Sequence, residues 1–230
     1  MTDKKKIILT LILFGSIWGG LEAIVTISMG GVGTFIPRSV ALAFVSLLVI
    51  SYGRYILPMR GSTILIGLVA CGFKFLSLPN IFFCQIAGVL GQALMLEIAF
   101  TLAYNRGWFK KIMPMAAIVV VSSFANCLFF SFSQAFIFQN HWWLDRGFTG
   151  LLNWSFTIGS MAALASLIGF VISYLMVKVS LTQFERFAEI RRSAYMRTAT
   201  AVSICFWFIG VLLINETVFN SWQNISGLFL

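Results

Sequence analysis

Charge is scarce in this 230-residue sequence: 10% of its residues are charged, against 60% hydrophobic. That balance leaves too little polar surface to cover a soluble domain of this size. Histidine occurs once, at His141, in a polar loop, which excludes a haem held by two histidines inside a helical bundle. The four cysteines, Cys71, Cys84, Cys127 and Cys205, all lie in apolar runs and none forms a C-x-x-C pair. They read as small core residues rather than a disulfide framework or metal ligands. Also missing are H-E-x-x-H, G-x-S-x-G and a Walker motif. Neither hydrolytic nor nucleotide-driven machinery is expected, and no cofactor or metal.

What is present is a series of apolar runs of about 20 residues, the length that crosses a bilayer as a helix. The sequence predicts an all-α membrane protein, one integral domain over residues 1–230. Seven spans are expected at about 7–29, 38–57, 62–78, 81–104, 112–138, 150–177 and 198–215. The first, preceded by Lys4-Lys5-Lys6, is longer than a signal-peptide core and lacks a small-residue cleavage site, so it reads as a retained span. The net charge of +9 does not point to nucleic acid. With the N-terminus inside, Lys4, Lys5, Lys6, Arg54, Arg60, Arg106, Lys110, Lys111, Lys178, Arg186, Arg191, Arg192 and Arg197 share one side, while Arg38 and Arg146 fall outside. This asymmetry predicts N-in, C-out. The segment KVSLTQFERFAEIRRSAYMR, with apolar residues at near-helical spacing, reads as an amphipathic helix on the inner surface, either a lipid-bound connector or a docking surface for a cytoplasmic partner.

An ionisable group within a span costs about 2.5–3.5 kcal/mol on insertion scales, so each one needs a reason. Three occur: Glu22, Lys74 and Glu97. At about 1.5 Å per residue, Glu22 and Lys74 both fall in the outer half, roughly 22 and 18 Å from the inner ends of their spans. Asn126 lies at a similar level, Gln92 is near the midplane, and Asn80, Asn153 and Trp154 head their spans. These groups are expected to line a polar pocket in which Glu22, Lys74, Asn126, Trp18, Trp154 and His141 contact a small molecule, with His141–Trp143 as a cover. The alternative is that Glu22 and Lys74 form a buried pair fixing helix register. Glu97, at the other level, is expected to snorkel or to meet the basic loops. Gly15 and Gly19 form a G-x-x-x-G pair suited to close helix contact, and Gly159, Ala162, Ala163 and Ser166 form a second small stripe.

The stretch GSIWGGLEAIV, the turn GGVGTFIP and the run KFLSLPNIFFCQIAGVLGQALMLE, with no ATPase in the chain, resemble the substrate-binding S components of energy-coupling factor (ECF) transporters. The resemblance spans about the first six helices. It implies capture of a small molecule of vitamin or metal type in a prokaryotic cytoplasmic membrane. It further implies docking through Gly15 and Gly19 onto a membrane coupling subunit that carries cytoplasmic ATPases. A seventh helix departs from the usual six. The alternative is a structural or accessory subunit of a multi-subunit membrane complex.

Overall fold

The computed structural model describes residues 3–29, 37–77, 83–109, 111–187, 197–210 and 212. These residues are helical and contain no strand. The helices are α1 (Asp3–Ser28), α2 (Arg38–Ile56), α3 (Ser62–Ser77), α4 (Phe83–Asn105), α5 (Ile112–Phe132), the single turn α6 (His141–Leu144), α7 (Gly147–Phe187) and α8 (Arg197–Gly210). Five of them (α1, α2, α4, α5 and α7) are long and apolar enough to cross a membrane. They make the chain an integral membrane protein. Two of the seven expected spans, α3 and α8, are apolar helices of shorter described length. The glycine-rich turn after α1, Asn80 and the chain beyond residue 212 lie outside the described residues.

Helix ends follow local chemistry. Pro37, with φ −58° and ψ 137°, sits before α2, where its fixed φ and missing N–H cost nothing. At the other end Leu57 precedes Pro58 and leaves the helical region at φ −117°, ψ 80°. Gly61 takes φ +83° in the turn into α3, a conformation other residues resist. α5 ends in a π-helical turn, Ser133–Ile137, that leads to α6.

Six helices close into a ring, each packed on the next: α1 on α3, α3 on α4, α4 on α5, α5 on α7, α7 on α2 and α2 back on α1. Inside lies a core that includes Phe14, Trp18, Leu47, Ile66, Leu96, Phe100, Met115 and Phe170, while Leu68, Ile98, Leu164 and Ile168 face outward, as lipid contact requires. Close approach depends on small residues. A Cβ at Gly19 would lie 2.6 Å from the Phe73 Cβ and 3.0 Å from the Ala70 carbonyl, and one at Gly15 would lie 2.8 Å from the Ile66 carbonyl. That face of α1 is therefore filled by α3 of the same chain, and the docking role expected for Gly15 and Gly19 gives way to internal packing. The second stripe behaves as expected: Gly159 abuts Cys127 on α5, and Ala162 packs with Val40 and Ala43 of α2.

α8 lies outside the ring. Its Trp207 donates to Ser16 Oγ at 2.8 Å and meets the Phe73 ring edge-on at 5.2 Å, while Phe206 covers Gly20. α7 also departs from expectation. It continues unbroken through Phe187, so the start of the expected surface helix is an extension of the span. No Pro or Gly occurs in that stretch to end it. Residues 188–196 lie outside the described residues.

Candidate functional site: a cavity at one end of the ring

All six ring helices contribute to one cavity of about 250 Å³. Its lining comes from the C-terminal halves of α1, α3 and α5 and the N-terminal halves of α2, α4 and α7, so it opens at a single end of the bundle. Glu22, Lys74, Asn126 and Trp154 all line it, together with Gln92. Sequence reasoning brought Glu22, Lys74 and Asn126 to a shared level, with Gln92 near the midplane and Trp154 at the head of its span; all five line the same cavity.

The charged pair is direct. Lys74 Nζ lies 2.6 Å from Glu22 Oε2, and both side chains are about 5% exposed. The other carboxylate oxygen, Oε1, accepts from Trp18 Nε1 at 2.8 Å, one helical turn away. Trp18 is fully buried and does not line the cavity. It holds Glu22 rather than offering an aromatic wall, which corrects its expected contact with ligand. His141 is exposed at the start of α6 and is absent from the lining, so it too leaves the site. The cover that reaches the cavity wall is Trp143. It is buried, and its ring meets Trp154 at 4.7 Å and Phe130 at 5.9 Å. Trp142 stays outside, where Arg146 stacks on it at 3.7 Å. Asn153 is exposed and is not among the residues that line the cavity.

Several lining residues were missed. Arg38, treated as a loop charge, opens α2 at the rim. Ser123, Cys127 and Phe130 join Asn126 as an i, i+3, i+4, i+7 stripe on α5, a periodicity that was readable in the sequence. Ser123 Oγ and Asn126 Oδ1 are buried without a hydrogen-bond partner. Gln92 is fixed by donating Nε2 to Ser46 Oγ at 2.6 Å.

The opposite end holds a second buried pair, neither member of which lines the cavity. Arg54 Nη2 lies 3.4 Å from Glu97 Oε1, and Arg54 also donates to Ser62 Oγ at 2.9 Å and to the Met59 carbonyl. Glu97 accepts from the Gly61 N–H at 2.8 Å, the Thr63 N–H at 3.2 Å, the Thr101 hydroxyl at 2.9 Å and the Thr63 hydroxyl. A carboxylate from α4 thus caps the N-terminus of α3 and neutralises an arginine of α2. Glu97 does not snorkel: it meets Arg54 and the Gly61 N–H in the turn between α2 and α3, one of the segments expected to carry basic residues, and Arg54 is itself buried within α2. Among the described residues no group of three or more His, Cys, Asp or Glu is placed to hold a metal ion.

Comparison with protein-family models, with curated proteins and with solved structures finds no match.

Proposed function

We propose that the chain is the substrate-capture subunit of a small-molecule transporter of the ECF kind. The observation that carries this reading is the cavity itself: six helices converge on one open-ended space with a polar floor and aromatic walls, the form of a small-ligand site. In this reading the seven helices cross the membrane with the N-terminus inside, and the cavity end faces out. The run of α8 alongside α1 supports the return crossing, since its residues Thr200, Ser203 and Ile204 share a groove with Leu9 and Ile12 while Trp207 reaches Ser16. Fusions of a reporter at Leu230 and in the 180–195 segment are expected on opposite sides; the same side for both eliminates seven spans.

The chain performs no chemistry of its own in this reading. Energy comes from a membrane coupling subunit and cytoplasmic ATPases. The coupling subunit docks on a face other than Gly15 and Gly19, which α3 occupies. The deciding experiment is native mass spectrometry of the purified protein. A stoichiometric co-purified small molecule, lost when the cavity is filled by Ala43→Trp, is the expected result. A second reading, an accessory subunit with a purely structural ion pair, draws on the direct 2.6 Å Lys74–Glu22 contact. It predicts a protein that carries nothing and co-purifies with the subunits of its complex.

A further inference from the structure

Within the capture reading, on which this inference rests, the charges around the cavity narrow the ligand. Among the described residues three charged side chains line it: Glu22, Lys74 and Arg38. Glu22 has no free end. One oxygen is held by Trp18 at 2.8 Å and the other by Lys74 at 2.6 Å. A cationic ligand would have to break that buried pair to find a negative partner. Arg38 is in the reverse position. It is exposed at the rim, and no carboxylate pairs with it among the described residues. The lining therefore carries one uncompensated positive charge.

The rest of the lining sets the body and the far end. Val89, Leu42, Phe130 and Trp154 are apolar or aromatic, with the Phe130 and Trp154 rings 6.4 Å apart at 37° and Trp154 backed by Trp143. Ser123 is 3% exposed, yet its hydroxyl has no partner; Asn126 Oδ1 is likewise unpartnered. Buried polar atoms without partners are costly, and a ligand that supplies hydrogen bonds removes that cost. The volume of about 250 Å³ corresponds to roughly eight waters and suits a molecule of one or two rings.

We infer that the cavity takes a small monoanionic molecule with a flat, aromatic or largely apolar body. Its carboxylate or similar acid group rests on Arg38, its body lies against Trp154 and Phe130, and a polar group at its other end meets Ser123 and Asn126. The Glu22–Lys74 pair remains intact and forms a neutral wall.

The test uses three probes that share one ring and differ in charge: benzoate, benzamide and benzylammonium. Each is titrated into the full chain, purified in nanodiscs and washed free of ligand, with binding read by calorimetry. Benzoate is expected to bind at least tenfold more tightly than the other two. Arg38→Gln is expected to weaken benzoate binding at least tenfold and erase that preference, and because Arg38 is exposed the variant should fold. A preference for benzamide or benzylammonium, or no binding of benzoate, overturns the inference. So does a benzoate preference that survives Arg38→Gln. The capture reading is judged separately by mass spectrometry: a co-purified neutral or cationic molecule leaves capture standing and refutes the anionic class.

Discussion

At one end of the ring Lys74 meets Glu22 in the wall of the cavity; at the other Arg54 meets Glu97, and neither of these two lines that cavity. Both pairs are almost fully buried. They differ in what surrounds them. Glu97 gathers four hydrogen bonds from the turn into α3, from α3 and from α4 in addition to its arginine, so its desolvation is offset by a network that also ties three helices together. Glu22 has one tryptophan and one lysine, and the lysine side faces a cavity. Arg54 Nε alone of that pair's polar atoms is buried without a partner, and the network holds the corner where α2, α3 and α4 meet. The Glu22–Lys74 pair instead stands in a cavity wall that also carries the unpartnered Ser123 and Asn126.

The comparison is broken most severely by Glu97→Ala. It strands the Arg54 charge and orphans the N–H groups of Gly61 and Thr63, so a loss of about 3–5 kcal/mol is expected in an equilibrium unfolding assay. Gly19→Leu comes next, at about 3 kcal/mol, because the new side chain strikes Phe73 and the Ala70 carbonyl and forces away the helix that carries Lys74. Lys74→Met should cost less than Glu97→Ala, about 2 kcal/mol. The Glu22 carboxylate keeps Trp18, and water can enter from the cavity. An equal or larger loss than for Glu97→Ala would erase the distinction between the two ends.

The paired exchange Glu22→Leu with Lys74→Met sharpens the point, since a buried ion pair is often replaceable by apolar residues. Its stability is expected within about 1 kcal/mol of the parent, with ligand binding weakened through the altered cavity wall. Unchanged binding together with unchanged stability would assign the pair to structure alone. Smallest of all is His141→Ala, expected within about 0.5 kcal/mol and without effect on binding, because the imidazole is exposed and outside the lining. A measurable loss of binding would restore the histidine to the site.

The candidate cavity was partly legible because a helix rises a fixed distance per residue. Counting from the span ends brought Glu22, Lys74 and Asn126 to one level, and the ring places them around one space. Level alone does not give direction around a helix axis. Trp18 and Glu22 are one turn apart, yet only Glu22 reaches the cavity, and Trp18 turns its ring into the core. Arg54 was misplaced for a related reason. It stands close to Pro58 and reads as a loop charge, but its face of α2 points at α4. Nothing local in α4 says that Glu97 will cap α3, since the two are 34 and more residues apart in the chain.

Composition by itself determined that this chain lives in a membrane as helices: apolar runs leave no other way to satisfy the backbone away from water. The positions of its prolines and of Gly61 set where α2 stops and α3 turns. Tertiary structure decided which of the scarce polar groups are partners. Gly15 and Gly19 became the seat of α3, Ser16 and Gly20 the seat of α8, and Glu97 a cap for another helix. The physical reason is that every polar group in an apolar bundle must find a mate in three dimensions, and that choice depends on which helix faces which across the ring.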